Sequence, residues 1–198
     1  ASGRPRALVL APTRELAVQI GDSVRAYGKF MGLKYVNIFG GAPIGKQIST
    51  LNRGVDIVVA TPGRLVDLLN QKKLRLSEVE VFVLDEADRM LDMGFINDVR
   101  KISDLVGSNR QTLLFSATMP NAVEKLAAGM LSDPVRIEVA PQSTTAERVQ
   151  QRVLFVEKQQ KRGLLSAILK DDTISRALVF SRTKHGADKV ARYLEKGN

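Results

Sequence analysis

The 198-residue chain has no cysteine, no tryptophan and a single histidine, His185. Without cysteine there is no disulfide framework, no thiolate zinc site and no cysteine nucleophile. One histidine makes no histidine cluster, and a Ser-His-Asp triad would rest on His185 alone. Between Lys184 and Gly186, that residue reads as a surface or helix-start position. Aromatic residues are 5% of the chain, which argues against a domain that grips single strands mainly by stacking bases. No apolar run approaches the roughly 18 residues of a membrane helix, and no apolar h-region follows the first six residues. These absences imply a soluble protein of a reducing compartment, the cytoplasm, with no signal peptide. The first residue is Ala1 rather than methionine, which leaves open a start inside a longer chain.

Charge is the first positive signal. Lysine and arginine total 30 against 21 acidic residues, a net charge of +9. The excess is uneven: residues 1–140 carry 18 basic and 15 acidic side chains, residues 141–198 carry 12 and 6. A polyanion is a natural partner for such a chain, because phosphate neutralisation supplies most sequence-independent affinity for nucleic acid. A solvated basic surface is the alternative reading, and it also covers the charged run 158–162.

Short apolar runs at 7–10, 57–60, 81–84, 112–115 and 177–180 do not alternate with polar residues. They predict strands buried on both faces, as in a parallel sheet. Residues 35–39, 135–139 and 152–157 predict weaker strands. Helical spacing connects Leu16, Ile20 and Val24; Val123, Leu126, Ala127 and Met130; and Ala187, Val190, Ala191 and Leu194. Further helices are expected at 162–170 and 186–195. Strands alternating with helices specify an α/β fold: a parallel sheet flanked by helices with right-handed crossovers. The small, polar, Pro141-interrupted stretch 140–147 reads as a linker between a first domain, 1–139, and the beginning of a second, 148–198. Two strands and two helices are too little for a whole second domain, so the chain is expected to stop mid-fold.

Each strong run is followed at once by a compact polar cluster. The clusters are Pro12-Thr13-Arg14-Glu15, Thr61-Pro62-Gly63-Arg64, Asp85-Glu86-Ala87-Asp88, Ser116-Ala117-Thr118 and Ser181-Arg182-Thr183. Ligands of open parallel sheets bind beyond the carboxyl ends of the strands, so the five predict one continuous site. An aspartate that ends an apolar strand is how nucleotide hydrolases hold Mg²⁺, and the adjacent Glu86 is placed to orient or deprotonate water. The same acidic run could simply start an exposed helix. Ser116 and Thr118 are placed to hydrogen-bond a carboxylate such as Asp88. Thr61-Pro62 has the local form of an N-cap followed by proline at the first helical position, and Thr13 reads as a second cap. Arg14, Arg64 and Arg182 beside helix starts suit a phosphate backbone better than one small anion. The segment Gly40-Gly41-Ala42-Pro43-Ile44-Gly45-Lys46-Gln47 nearly fits a phosphate loop, but Gln47 stands where a Ser or Thr hydroxyl is required. It reads instead as a loop that lets backbone come close to a ligand.

In this order, the segments Pro-Thr-Arg-Glu-Leu-Ala, Gly-Gly, Thr-Pro-Gly-Arg, Asp-Glu-Ala-Asp and Ser-Ala-Thr resemble motifs Ia, GG, Ib, II and III of the DEAD-box RNA helicases. Val179-Phe180-Ser181-Arg182-Thr183 resembles motif IV. The resemblance runs from about residue 7 onward, and residues 182–188 look most like the bacterial RhlE-like branch. It implies an incomplete first RecA-like domain joined to the start of a second. It also implies ATP and Mg²⁺ as cofactors, RNA as partner, and hydrolysis coupled to local unwinding. Asp85 would hold Mg²⁺ through water, and Glu86 would position the attacking water. Asp88, Ser116 and Thr118 would couple hydrolysis to strand separation. Pro12, Thr13, Arg14, Glu15, Gly40, Gly41, Thr61, Pro62, Gly63, Arg64, Ser181, Arg182 and Thr183 would line the RNA sugar-phosphate backbone, giving little sequence readout.

The family's Q motif and P-loop precede motif Ia, and its motifs V and VI follow motif IV; none lies within these residues. The expectation is therefore a piece of a helicase with no ATP turnover of its own, prone to self-association through exposed sheet edge and apolar surface. As it stands it could also serve as a catalytically inactive RNA-binding or partner-binding module. A phosphohydrolase built on Asp85 and Glu86 without a P-loop lacks a second cluster of metal ligands.

Overall fold

Val, Ile, Phe and Tyr fit a pleated, half-buried surface, and five four-residue strands build the sheet. The structure, a computed structural model, describes residues 4–139 and 150–196; the expected linker at 140–147 lies outside them. The chain divides into two units, Ala1–Ile137 and Glu138–Asn198.

The first unit runs β1 (Ala7–Leu10), α1 (Arg14–Tyr27), β2 (Tyr35–Ile38), α2 (Ile44–Asn52), β3 (Ile57–Ala60), α3 (Pro62–Asn70), β4 (Val81–Leu84), α4 (Ala87–Asp92), α5 (Ile96–Leu105), β5 (Gln111–Leu114) and α6 (Asn121–Ala128). All strands are parallel, in the order β2-β3-β1-β4-β5, with Leu8 level with Val58 on one side and Phe82 on the other. This is the α/β sheet expected from the alternation of runs.

Both faces of the sheet are covered, as expected, but unequally: β3 is buried at three successive residues, whereas β1, β2 and β4 are buried more deeply on one face. In β1, β2 and β4 every second residue is fully buried and its neighbour only partly. The buried set, Leu8, Leu10, Val36, Ile38, Val58, Phe82 and Leu84, packs with Leu65, Leu68, Met90, Val99, Ile102 and Leu126 of the helices. On the other face α1 packs Ala17, Leu16 and Ile20 against Val9, Ala11, Ile57 and Val59. The buried stripe of α1 is centred on Ala17 and Gly21, with Leu16, Ile20 and Val24 beside it. Gly21 is there because a Cβ would meet the Asn37 side chain of β2 at 2.3 Å.

The second unit contains α7 (Lys161–Ile168) and α8 (Lys184–Glu195). Neither helix has a buried residue. Thr183 caps α8, accepting from the Gly186 amide at 3.0 Å, and Arg162 lies over the Tyr193 ring at 5.3 Å, joining the two helices. Of the residues expected to form strands, 135–139, 152–157 and 177–180 form none, and their apolar side chains are largely exposed. A strand is stabilised by the ladder to its neighbour, and these segments have no neighbour among the described residues.

Candidate functional site

Four backbone bonds extend the parallel ladder one step past the strands. Thr61 N–H donates to the Ile38 carbonyl (2.8 Å), Ala11 to Ala60 (2.9 Å), Asp85 to Leu10 (3.0 Å) and Phe115 to Leu84 (2.8 Å). They fix the loops at the carboxyl edge in sheet order: 39–42, 61–64, 12–15, 85–88 and 116–118.

The loops after β2, β3 and β1 interlock. Thr13 caps α1, its hydroxyl accepting from the Leu16 amide at 3.3 Å, while Pro12 is buried beneath it and Glu15 is exposed in the first turn. Arg14 emerges over the Phe39 ring at 5.0 Å, beside Gly41, whose φ of +75° favours glycine. Arg64 turns inward: its guanidinium donates to the Ala42 carbonyl at 3.1 Å, sits 3.9 Å from Asp67, and is only 16% exposed. It therefore holds the Gly40–Gly41 turn as well as facing the edge. Gln47 secures the other end of that loop, donating to the Phe39 carbonyl at 3.0 Å from a buried position. The near-phosphate-loop is thus tied down through the very residue that breaks the pattern. Thr61 occupies the cap position of α3 with buried Pro62 at its first turn, yet the Thr61 hydroxyl accepts no capping bond. Gly63 follows, with room for a Cβ at ordinary contact with Phe95.

The loops after β4 and β5 form a second group. Asp85 Oδ1 accepts the Glu86 amide at 3.0 Å. Glu86 sits in the left-handed region, φ 52° and ψ 54°, a conformation costly for a residue with a Cβ. It is held there because Ala87 N–H donates to the Phe115 carbonyl and Met90 N–H to the Glu86 carbonyl, both at 3.0 Å. Asp88 joins the two loops. The Thr118 hydroxyl and amide both donate to Asp88 Oδ2, at 2.7 and 2.9 Å. The Asp88 amide donates to Ser116 Oγ at 3.1 Å, and that hydroxyl donates onward to the Thr118 carbonyl at 2.7 Å. Partial burial on its own raises the Asp88 pKa, but the bonds from Thr118, the Arg89 amide and Ser116 outweigh it and hold the carboxyl below its ordinary value.

Ser181, Arg182 and Thr183 belong to the second unit, where Ser181 Oγ donates to the Thr183 carbonyl at 3.3 Å and Arg182 is exposed. The first unit therefore brings together four of the five expected clusters and adds the Gly40–Gly41 loop. Phe39 and Asp67 were not expected at this edge, and Ala42 and Gln47 were expected only as part of the loop 40–47. Phe39 left a trace in the sequence as the last residue of an apolar run directly before Gly40, whereas Asp67 left none.

Among known proteins, the family model for DEAD/DEAH box helicases matches residues 1–126. The DEAD-box ATP-dependent RNA helicase CshA of Streptococcus pneumoniae is 43% identical over 190 residues, 96% of this chain and 36% of that protein. The ATP-dependent RNA helicase DBP2 of Scheffersomyces stipitis is 45% identical over 194 residues, 96% of this chain and 37% of its own length. The crystal structure of a hypothetical ATP-dependent RNA helicase from Sulfolobus tokodaii superposes with a TM-score of 0.62 at 42% identity, covering 66% of this chain and 39% of that one. The chain spans about a third of the length of the curated relatives it matches. The near-equal identities single out no branch, but the matched residues include all five loops of the carboxyl edge, and with them the chain belongs to the DEAD/DEAH box helicase family.

Proposed function

We propose that this chain supplies the RNA-contacting and hydrolysis-coupling loops of an ATP-dependent RNA helicase. The observation that carries the reading is the Asp88–Thr118–Ser116 set, which ties the loop of the acidic cluster to its neighbour beside a strained Glu86. Loops joined in this way move together, so a change at the nucleotide side is passed along the edge.

The donor set fits a Mg²⁺–nucleotide. Asp85 spends one oxygen on the Glu86 amide and keeps the other free. Among the described residues no group of three acidic or histidine side chains could cage a metal alone. Mg²⁺ that keeps its waters and phosphate oxygens needs no such cage and is content with one carboxylate. When bound, it neutralises charge on the phosphates; Asp85 is the residue that would hold it, through water. Glu86, next in the chain, would orient the attacking water. RNA lies along the first group of loops: Arg14 and the uncapped start of α3 face its phosphates, with Gly40 and Gly41 letting backbone approach. In the second unit, taken by itself, Ser181, Arg182 and Thr183 would be a separate RNA contact.

Fluorescence anisotropy with single-stranded RNA tests the binding half. Arg14→Ala and Arg64→Ala should each weaken binding about equally for all sequences and lower the salt slope by about one. Affinity unchanged in both variants would refute it. For hydrolysis, residues 1–198 by themselves should show no RNA-stimulated ATP turnover. Turnover well above background that Glu86→Gln abolishes would overturn that statement.

A further inference from the structure

The opposite end of the sheet, where the strands begin, carries an exposed aromatic turn. α1 closes at Gly28, whose amide donates to the Val24 carbonyl at 2.9 Å, and Met31 N–H donates to the Gly28 carbonyl at 3.0 Å. Gly32, at φ +66°, completes the reversal into β2. The two glycines fix both ends of the turn and leave its apolar side chains outside. Tyr27, Phe30 and Met31 are 83%, 91% and 72% exposed. In a chain with three tyrosines and seven phenylalanines, two almost fully solvated rings three residues apart are a concentration of what is otherwise scarce.

The surrounding charge is basic. Lys29 lies over the Phe30 ring at 5.3 Å, and Lys34 follows the turn. Among the described residues no ion pair engages either ammonium. Of the nearby acids, Asp22 pairs with Arg25 at 3.0 Å, and Asp56 accepts the Lys34 backbone amide at 2.8 Å without pairing with its ammonium. Open rings beside unpaired cations match the π-face of a base and the phosphates on either side of it. The turn is a protrusion rather than a groove, so a splayed base can reach both rings.

We propose that the turn 27–34 is an auxiliary contact for single-stranded nucleic acid, with Tyr27 and Phe30 stacking on bases and Lys29 and Lys34 supplying charge. The inference rests on the reading that the carboxyl edge binds RNA. α1 begins at Arg14 and ends at Tyr27, so one helix about 20 Å long joins the two contacts. The composition still speaks against stacking as the main grip; here it is added to a backbone site.

Bases are what the two contacts read differently. The 198-residue chain would be titrated with oligouridylate and with its abasic ribose-phosphate counterpart. The double variant Tyr27→Ala/Phe30→Ala should lose about tenfold in affinity for oligouridylate and nothing for the abasic strand. Tyr27→Phe/Phe30→Tyr should bind oligouridylate like the parent. Photo-cross-linking with a thiouridine-substituted oligomer should label the tryptic peptide of residues 30–34. Equal losses on both oligomers, no loss on either, or no label in that peptide would overturn the proposal. Retained oligonucleotide affinity with loss of a defined protein complex would assign the turn to protein docking instead. Arg14→Ala, which weakens both oligomers alike if the backbone site is real, reports separately on the reading beneath.

Discussion

Val81–Leu84, of sequence Val-Phe-Val-Leu, is an interior strand with Phe82 and Leu84 wholly buried. Residues 177–180, Ala-Leu-Val-Phe, form no strand, and Leu178 and Phe180 stand 80% and 87% exposed. Composition does not separate the two runs; neighbours do. β4 lies between β1 and β5 with both ladders made, and helices cover one face. In the second unit the helices α7 and α8 form because their bonds close within a few residues, whereas a strand must borrow its partner from distant chain.

The largest expected effect cuts across this contrast. Phe82→Ala should destabilise the first unit by about 3–5 kcal/mol, since it opens a cavity in a closed core. Phe180→Ala should change stability by less than about 0.5 kcal/mol. Urea unfolding of both variants is the check. A cost at Phe180 near that at Phe82 would mean that residues 177–180 are packed after all.

A second pair holds chemistry constant. Asp88 accepts from the Thr118 hydroxyl and amide at 2.7 and 2.9 Å, thirty residues away. Asp171 accepts from the Thr173 hydroxyl and amide at the same two distances, two residues away. Hydrogen bonds from Thr173 hold the Asp171 carboxyl below its ordinary value, as those from Thr118 outweigh burial at Asp88. Only the first bond set closes a long loop. Asp88→Ala should therefore cost the first unit about 1–2 kcal/mol, discounted for partial exposure, while Asp171→Ala should leave its unfolding midpoint unchanged. The sign with pH follows from the depressed value. The Asp88 contribution is complete above the ordinary aspartate value of 3.8 and is lost as pH falls through the lower folded value. The gap between parent and Asp88→Ala should close on acidification; a gap that is flat across that range would contradict the assignment.

The sequence showed this division only in part. β1, β3 and β4 lie where their apolar runs lie, and β5 is displaced by one residue, to Gln111–Leu114. The polar clusters after these strands are legible because a strand end followed by Pro, Thr or Asp is a local event. The unequal cover of the two sheet faces, the Arg64 bond to Ala42 and the Arg14–Phe39 stack are not local. They depend on which loops the sheet order sets side by side. For the same reason, periodicity predicted strands at 135–139, 152–157 and 177–180 but could say nothing of their partners.

Glu86 turns the packed surroundings of the first unit into stored strain. Glycine accepts its φ of 52° without a Cβ clash, so Glu86→Gly should stabilise the first unit by about 1 kcal/mol after glycine's own entropy is subtracted. The 3.9 Å pair with Arg89 that is lost is exposed and contributes little. A thermal melt reads the gain. A fall in stability would mean that the left-handed turn is not a burden on the fold.

The smallest effect isolates locality itself. Thr13 and Thr183 make the same cap, accepting from the amide three residues on at 3.3 and 3.0 Å. Each Thr→Ala change should remove about 0.5–1 kcal/mol of helix stability. What differs is where the loss is felt. α1 is locked to β2 and β3 through Ala17 and Gly21, so fraying its first turn draws on the whole first unit and lowers its unfolding midpoint. α8 has no buried residue, so Thr183→Ala should reduce helical signal in the second unit and leave that midpoint where it was. Hydrogen exchange resolves the two: slower protection lost across the sheet for Thr13→Ala, faster exchange confined to 184–188 for Thr183→Ala. If Thr183→Ala moved the midpoint as far as Thr13→Ala, the second unit would share the cooperativity of the first, and the contrast between local helices and borrowed strands would fail.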